Sequence, residues 1–239
     1  TILTVLMALD ALACRFNVRD VGFVDLGSEK YQVFIFVPDA MPAAELESLK
    51  SIAYATYLES NVIAKVLTAS AVAKGEAAPF LPSNLKQAQA VMISADGKRS
   101  LPVSLAVEGK PLSVSAWDGL ESVFDSSRRN AVVSKVYEHY GVILIVEGKN
   151  ADENIRIRKM ADTVVVSITS KMDKLEKEIR EPPVVEVISA KDFANEKTFM
   201  WSLGITEIAE TPQVAVLYGR GRIIGPVLRD ARLDERALT

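Results

Sequence analysis

Phe34-Ile35-Phe36-Val37 and Ile143-Leu144-Ile145-Val146 set the architecture of this chain. Each is an unbroken run of large apolar residues. A strand with one wet face alternates apolar and polar residues, so an unbroken run reads as a strand covered on both faces. Each run is followed by a helical stretch. Much later comes a proline with a glycine and a basic residue seven positions on: Pro102 with Gly109-Lys110, and Pro212 with Gly219-Arg220. The offset between the copies is 109 residues at the strand and 110 at the proline. Two units of about one hundred residues each suit the usual domain size and suggest a duplicated small α/β fold.

Around the first run, Tyr31 to Val37 is the strand and Pro38-Asp39-Ala40-Met41-Pro42 a loop, with Pro42 suited to the first turn of a helix. Leu46, Leu49, Ile52, Ala53, Thr56 and Tyr57 then recur at helical spacing, and residues 62–67 read as the next strand. This is a βαβ order. Residues 91–93 read as a short strand, Asp96-Gly97 as a turn, and residues 102–107 with 112–115 as a hairpin around Gly109-Lys110. A helix capped by Ser126 or Ser127 runs to Tyr140, with Gly141 as its stop. It is expected to close the first unit and join the second without a flexible tether.

Around the second run, residues 142–146 form the strand and Asn150 caps a helix predicted over residues 151–180. Pro182-Pro183 ends it. Residues 184–188 are the second strand, 191–203 the second helix, and 212–218 with 222–227 a closing hairpin; a last helix begins at Asp230. The domains are therefore residues 1–30, an N-terminal apolar segment, 31–140, a divergent first unit, and 141–239, the second unit.

Of the 239 residues, 49% are hydrophobic and 25% charged, as in an ordinary globular protein. A net charge of −3 argues against nucleic acid as the main partner, which would need a dense basic surface. Cys14 is the only cysteine and His139 the only histidine. That excludes an intrachain disulfide, a CxxC pair and a multi-cysteine metal site. Residues 2–13 are mostly apolar and lead into Ala11-Leu12-Ala13-Cys14, which reads like the end of a secretory signal meeting a lipid-attachment cysteine. A buried core segment is the other reading, with Cys14 an inert thiol.

The order in the second unit is strand, helix, strand, helix, proline-started strand, hairpin, helix. It resembles the thioredoxin fold. The resemblance implies a mixed sheet flanked by helices, and a cis peptide bond before the proline that starts the third core strand. Pro212 matches that place in the second unit and Pro102 in the first. In catalytic members a CxxC follows the first core strand at a helix N-terminus, where the thiol is made nucleophilic. The corresponding positions here, 38–41 and 147–150, hold no Cys, Ser or Thr. The first unit departs from the pattern over residues 68–101, which carry an extra strand and turn. More loosely, the chain resembles bacterial exported proteins with tandem thioredoxin-like domains, a Cys near the N-terminus and a C-terminal Tyr/Phe-Gly-Arg-Gly-Arg hairpin. These have no assigned activity, so that likeness implies location rather than role.

Each of the other candidate sites also has a plain structural role. Arg220 and Arg222 on the glycine turn form a potential anion clamp, or else a soluble hairpin edge. Asp125-Ser126-Ser127-Arg128-Arg129 is an anion site at a helix start, or a capped helix. His139 fits a helix C-terminus. Phe193, Phe199, Met200 and Trp201 are a contact patch or core. Asp152 with Glu153, and Glu176 with Glu178, are solvated carboxylates in the plainer reading.

These observations lead to an expected non-catalytic interaction or scaffold subunit of a larger, extracytoplasmic or membrane-associated assembly. It has no cofactor and no metal, its partners are other protein subunits rather than nucleic acid, and its N-terminus is a candidate membrane anchor. The alternative is a small-anion binder or enzyme using Arg220 and Arg222.

Overall fold

The structure, a computed structural model, describes residues 30–72, 75–174, 181–219 and 222–238. It contains two four-stranded mixed sheets. The first unit runs β1 (Tyr31–Val37), α1 (Ala43–Tyr57), β2 (Val62–Thr68), β3 (Gln89–Ile93), β4 (Ser100–Val103) and α2 (Leu112–Glu121). The second runs α3 (Ser127–Glu138), β5 (Gly141–Val146), α4 (Ala151–Thr169), β6 (Val184–Ile188), α5 (Lys197–Ser202), β7 (Gln213–Tyr218), β8 (Arg222–Ile223) and α6 (Glu235–Leu238).

Strand order is β2-β1-β3-β4 in one sheet and β6-β5-β7-β8 in the other. In both, the second strand runs parallel to the first and the third antiparallel to it, and the fourth folds back on the third. The central strands are the two apolar runs of the sequence. Val33, Ile35 and Val37 lie beneath α1 and α2 with Leu49, Ala53, Ala116 and Leu120. Phe34 and Phe36 point the other way, where Val72, Ala77 and Phe80 cover them. Phe34 and Phe80 stack with ring centroids 6.1 Å apart. In β5, Ile143 and Ile145 meet Ile157, Ala161 and Val164 of α4. Val142, Leu144 and Val146 meet Val132 and Val136 of α3 and Phe199 and Met200 of α5. Burial on both faces is the physical content of an uninterrupted apolar run.

Several sequence expectations are corrected. Residues 91–93 are no extra strand. They belong to β3, the third core strand, which turns at Asp96-Gly97 into β4. Gly97 has φ +70°, as a tight turn of this kind requires. The first unit thus follows the same strand order as the second. Pro102 lies inside β4, an edge strand, and not at the start of the third strand; Pro212 does sit immediately before β7. The peptide bonds before both prolines are trans. The expected hairpin around Gly109-Lys110 is instead a turn into α2, so Leu112 to Ser115 are helical.

The repeat register also shifts. β1 and β5 start 110 positions apart (31 and 141), β2 and β6 122 apart (62 and 184), and β3 and β7 124 apart (89 and 213). The recurring proline spacing is a coincidence of sequence. Most of the extra length enters between α4 and β6. There the predicted 30-residue helix stops at Thr169, with Ser170 as its C-cap.

Between β6 and β7, the predicted 191–203 helix is a 3₁₀ turn at Asp192–Ala194 followed by the short α5. Helix α3, expected to complete the first unit, turns Val132 and Val136 into the second core. Its C-cap is His139, and Gly141 is already the first residue of β5.

Candidate functional site

A thioredoxin-like unit would carry reactive chemistry where its central strand hands over to the next helix. In the first unit that turn is closed by Met41 N–H bonding to Pro38 O at 3.0 Å. Asp39 accepts the N–H of Ser70 at 3.0 Å and its hydroxyl at 2.7 Å. These two hydrogen bonds, the N–H first, hold the Asp39 carboxyl below the usual aspartate range. They tie the ends of β1 and β2 together.

In the second unit the same place is sealed by backbone. Asn150 caps α4, accepting from the N–H groups of Asp152 at 3.0 Å and Glu153 at 3.2 Å. The Asn154 side chain holds Gly148 from both sides, accepting from its N–H at 2.9 Å and donating to its carbonyl at 3.0 Å. Lys149 N–H then bonds Ala209 O at 3.1 Å and Asn150 N–H bonds Glu210 O at 3.0 Å. The turn is thereby stitched to the segment leading into Pro212 and β7.

Gly148 is needed there for space. A Cβ on it would lie 2.5 Å from the Thr211 carbonyl carbon and 2.6 Å from Glu210 O. At Gly148 the two loops are in direct backbone contact. A glycine between a buried strand and a capped helix is the one local hint of this contact; its partner lies some sixty positions away (148 to 211) and is invisible in a pattern.

The remaining candidates resolve into structure. Ser126 is the N-cap of α3, accepting from Arg129 N–H at 3.0 Å, and its hydroxyl donates to the buried Glu196. Arg128 pairs with Asp192 at 2.9 Å, and Arg129 Nη1 donates to Phe124 O at 2.8 Å. The arginines of that motif are thus engaged with protein. His139 Nδ1 donates to the Pro182 carbonyl at 2.7 Å, fixing the end of α3 beside the chain entering β6.

Phe193, Phe199 and Met200 are buried in the second core, the plainer of the two readings, and Trp201 is half-buried. Glu153 pairs with Arg156 one turn on at 2.8 Å. Cys14, Arg220, Glu176 and Glu178 lie outside the described residues. Arg222 contributes its backbone to β8 opposite Tyr218. Among the described residues no three His, Cys, Asp or Glu side chains gather as metal ligands. A groove of about 390 Å³ lies between α1 and the start of α2, lined by Ala44, Ser48, Ile52 and Leu112 and offering one carboxylate, Glu45.

No protein-family model matches the chain, and no curated protein matches it. Among solved structures it is similar to the first two thioredoxin domains of Saccharomyces cerevisiae Eps1p, at 10% identity over 88% of this chain and 90% of that one, with a TM-score of 0.28. It is similar to the same two domains of Naumovozyma dairenensis Eps1p, at 10% identity over 87% and 89%, TM-score 0.29. Human ERp44 in a zinc-bound form matches at 9% identity over 92% of this chain and 56% of its own, TM-score 0.30. At overlaps this loose the fold is carried by topology: order 2-1-3-4, a parallel first pair, an antiparallel third and fourth strand, and a helix crossing between the first two. That arrangement, present twice, makes the chain an α/β protein of two thioredoxin-like units in tandem with no CxxC pair.

Proposed function

We propose that this protein is a non-catalytic interaction subunit, a scaffold or accessory part of a larger assembly outside the cytoplasm. The observation that carries the reading is the sealed junction of the second unit. The turn that would hold a reactive thiol has none, and the facing loop is hydrogen-bonded onto it. A frame kept without its chemistry serves as a surface. The apolar sequence before Cys14 supports the location. No helix among the described residues is long and apolar enough to cross a membrane. In this reading attachment runs through Cys14.

The test is the mass of the protein in a gently solubilised extract of the cells that make it. A mass well above 26.0 kDa, with the same companions recovered in fixed ratio, is the expected result. A mass near that of the single chain overturns the subunit reading. Reduction of insulin disulfides by the purified chain at a thioredoxin-like rate overturns the non-catalytic one. Cys14→Ser is expected to release the protein from membranes, and unchanged membrane association removes the anchor.

A further inference from the structure

Two domains joined by a short connection and a small interface normally move relative to one another. Here the connection is fastened on both sides. On the first-unit side, the N–H groups of Ser122, Val123, Phe124 and Asp125 all bond back to carbonyls of α2. Val123 is buried in the first core, and Phe124 packs against that core with its ring edge-on to Tyr57 at 5.7 Å.

On the second-unit side, Ser126 caps α3 and donates to Glu196, which is only 5% exposed and lies at the start of α5. Two side chains of α3 reach backwards across the connection. Arg129 binds Phe124 O at 2.8 Å, and Asn130 Nδ2 binds Asp125 Oδ1 at 2.6 Å. A further contact bridges the units directly, the Thr198 hydroxyl on the Met92 sulfur at 3.8 Å.

We infer that residues 122–126 are a rigid joint that locks the two thioredoxin-like units into one fixed orientation, with Phe124 as the anchor in the first unit and the Ser126–Glu196 pair as the latch in the second. Rotation about the joint must pull Phe124 from its core or break the Arg129, Asn130 and Glu196 contacts together. A helix that ends in one core and a helix that begins in the other, with residues 122–125 bonded back onto α2 between them, leave no hinge.

The test measures one distance between the units. Spin labels go on Glu47→Cys in α1 and Lys159→Cys in α4, both exposed, in a Cys14→Ser background, and the distance distribution is read by pulsed electron resonance. One narrow distance is expected for the otherwise native chain. Inserting Gly-Ser-Gly-Ser between Asp125 and Ser126 is expected to widen the distribution about twofold or more, as a flexible linker does, while circular dichroism and melting show both units still folded. A broad distribution in the native chain overturns the inference. So does a distribution that stays narrow after the insertion, since the orientation would then be fixed elsewhere.

Discussion

Gly148→Ala is expected to destabilise the second unit by about 2–4 kcal/mol. The added Cβ meets backbone only: the Thr211 carbonyl carbon at 2.5 Å, Glu210 O at 2.6 Å and Thr211 O at 2.7 Å. Carbon atoms rest about 3.5–4.0 Å apart, so the two loops must separate by about 1 Å. At that separation the 3.1 Å Lys149–Ala209 and 3.0 Å Asn150–Glu210 bonds are lost. Two backbone hydrogen bonds at a net ~1 kcal/mol each, plus ~1–3 kcal/mol of overpacking, set the loss. Against it stands a gain of about 0.4–1 kcal/mol from stiffening the unfolded chain, which is too small to reverse the sign.

The assay uses the protein's own reporters. Trp117 lies in the first unit and Trp201 in the second. In a Trp117→Phe background, urea unfolding followed by fluorescence therefore reads the second unit. A change below about 0.5 kcal/mol, within the range of a neutral surface substitution, would refute the sealed junction and with it the main support for a non-catalytic role.

Gly119→Ala places a Cβ 1.9 Å from Ser104 O, where α2 crosses the chain leaving β4, and should cost the first unit about 3 kcal/mol or more, read by unfolding with Trp201→Phe so that Trp117 reports. Tyr57→Phe removes a buried hydroxyl that donates to Leu120 O at 2.8 Å and should cost ~1–1.5 kcal/mol. Burial also raises the Tyr57 phenol above the ordinary range, so difference absorbance in alkali should show this tyrosine ionising only as the first unit unfolds. Asp96 is held at about 2 by the Ser94 hydroxyl, the Lys98 N–H and Arg99, below its ordinary 3.8. A lowered folded pKa stabilises above the unfolded value and is lost as pH falls through the folded one. Asp96→Asn should therefore flatten the pH dependence of stability between about 3.8 and 2, with carboxyl resonances titrated by NMR as the check.

The two central strands were legible because burial on both faces leaves a mark at every position, and the caps Ser126 and Asn150 because capping needs particular side chains at particular places. Other readings failed where sequence carries too little period. Leu112-Ser113-Val114-Ser115 alternates like a strand, yet four residues cannot separate a repeat of 2 from one of 3.6. Pro102 drew the third strand to the wrong place because a proline preference is local, while the identity of a core strand is set by what it pairs with, here Gln32 to Phe36. The packing of α3 onto the second sheet was hidden because Val132 and Val136 suit any apolar surface. At the candidate site, the absence of Cys, Ser and Thr was plain in the sequence. The closure of the site was not, since it is made of main-chain groups and one missing Cβ.

In both sheets the strand made first lies at the middle. β1 leaves the ribosome before either neighbour, and its antiparallel partner begins only at Gln89; β5 waits from Val146 until Gln213. Through that interval each nascent unit holds an apolar ribbon with an unpaired edge, the kind of segment that adds to other strands. Synthesis of residues 38–88 and 147–212 is therefore the interval in which each unit is most open to mispairing with other chains.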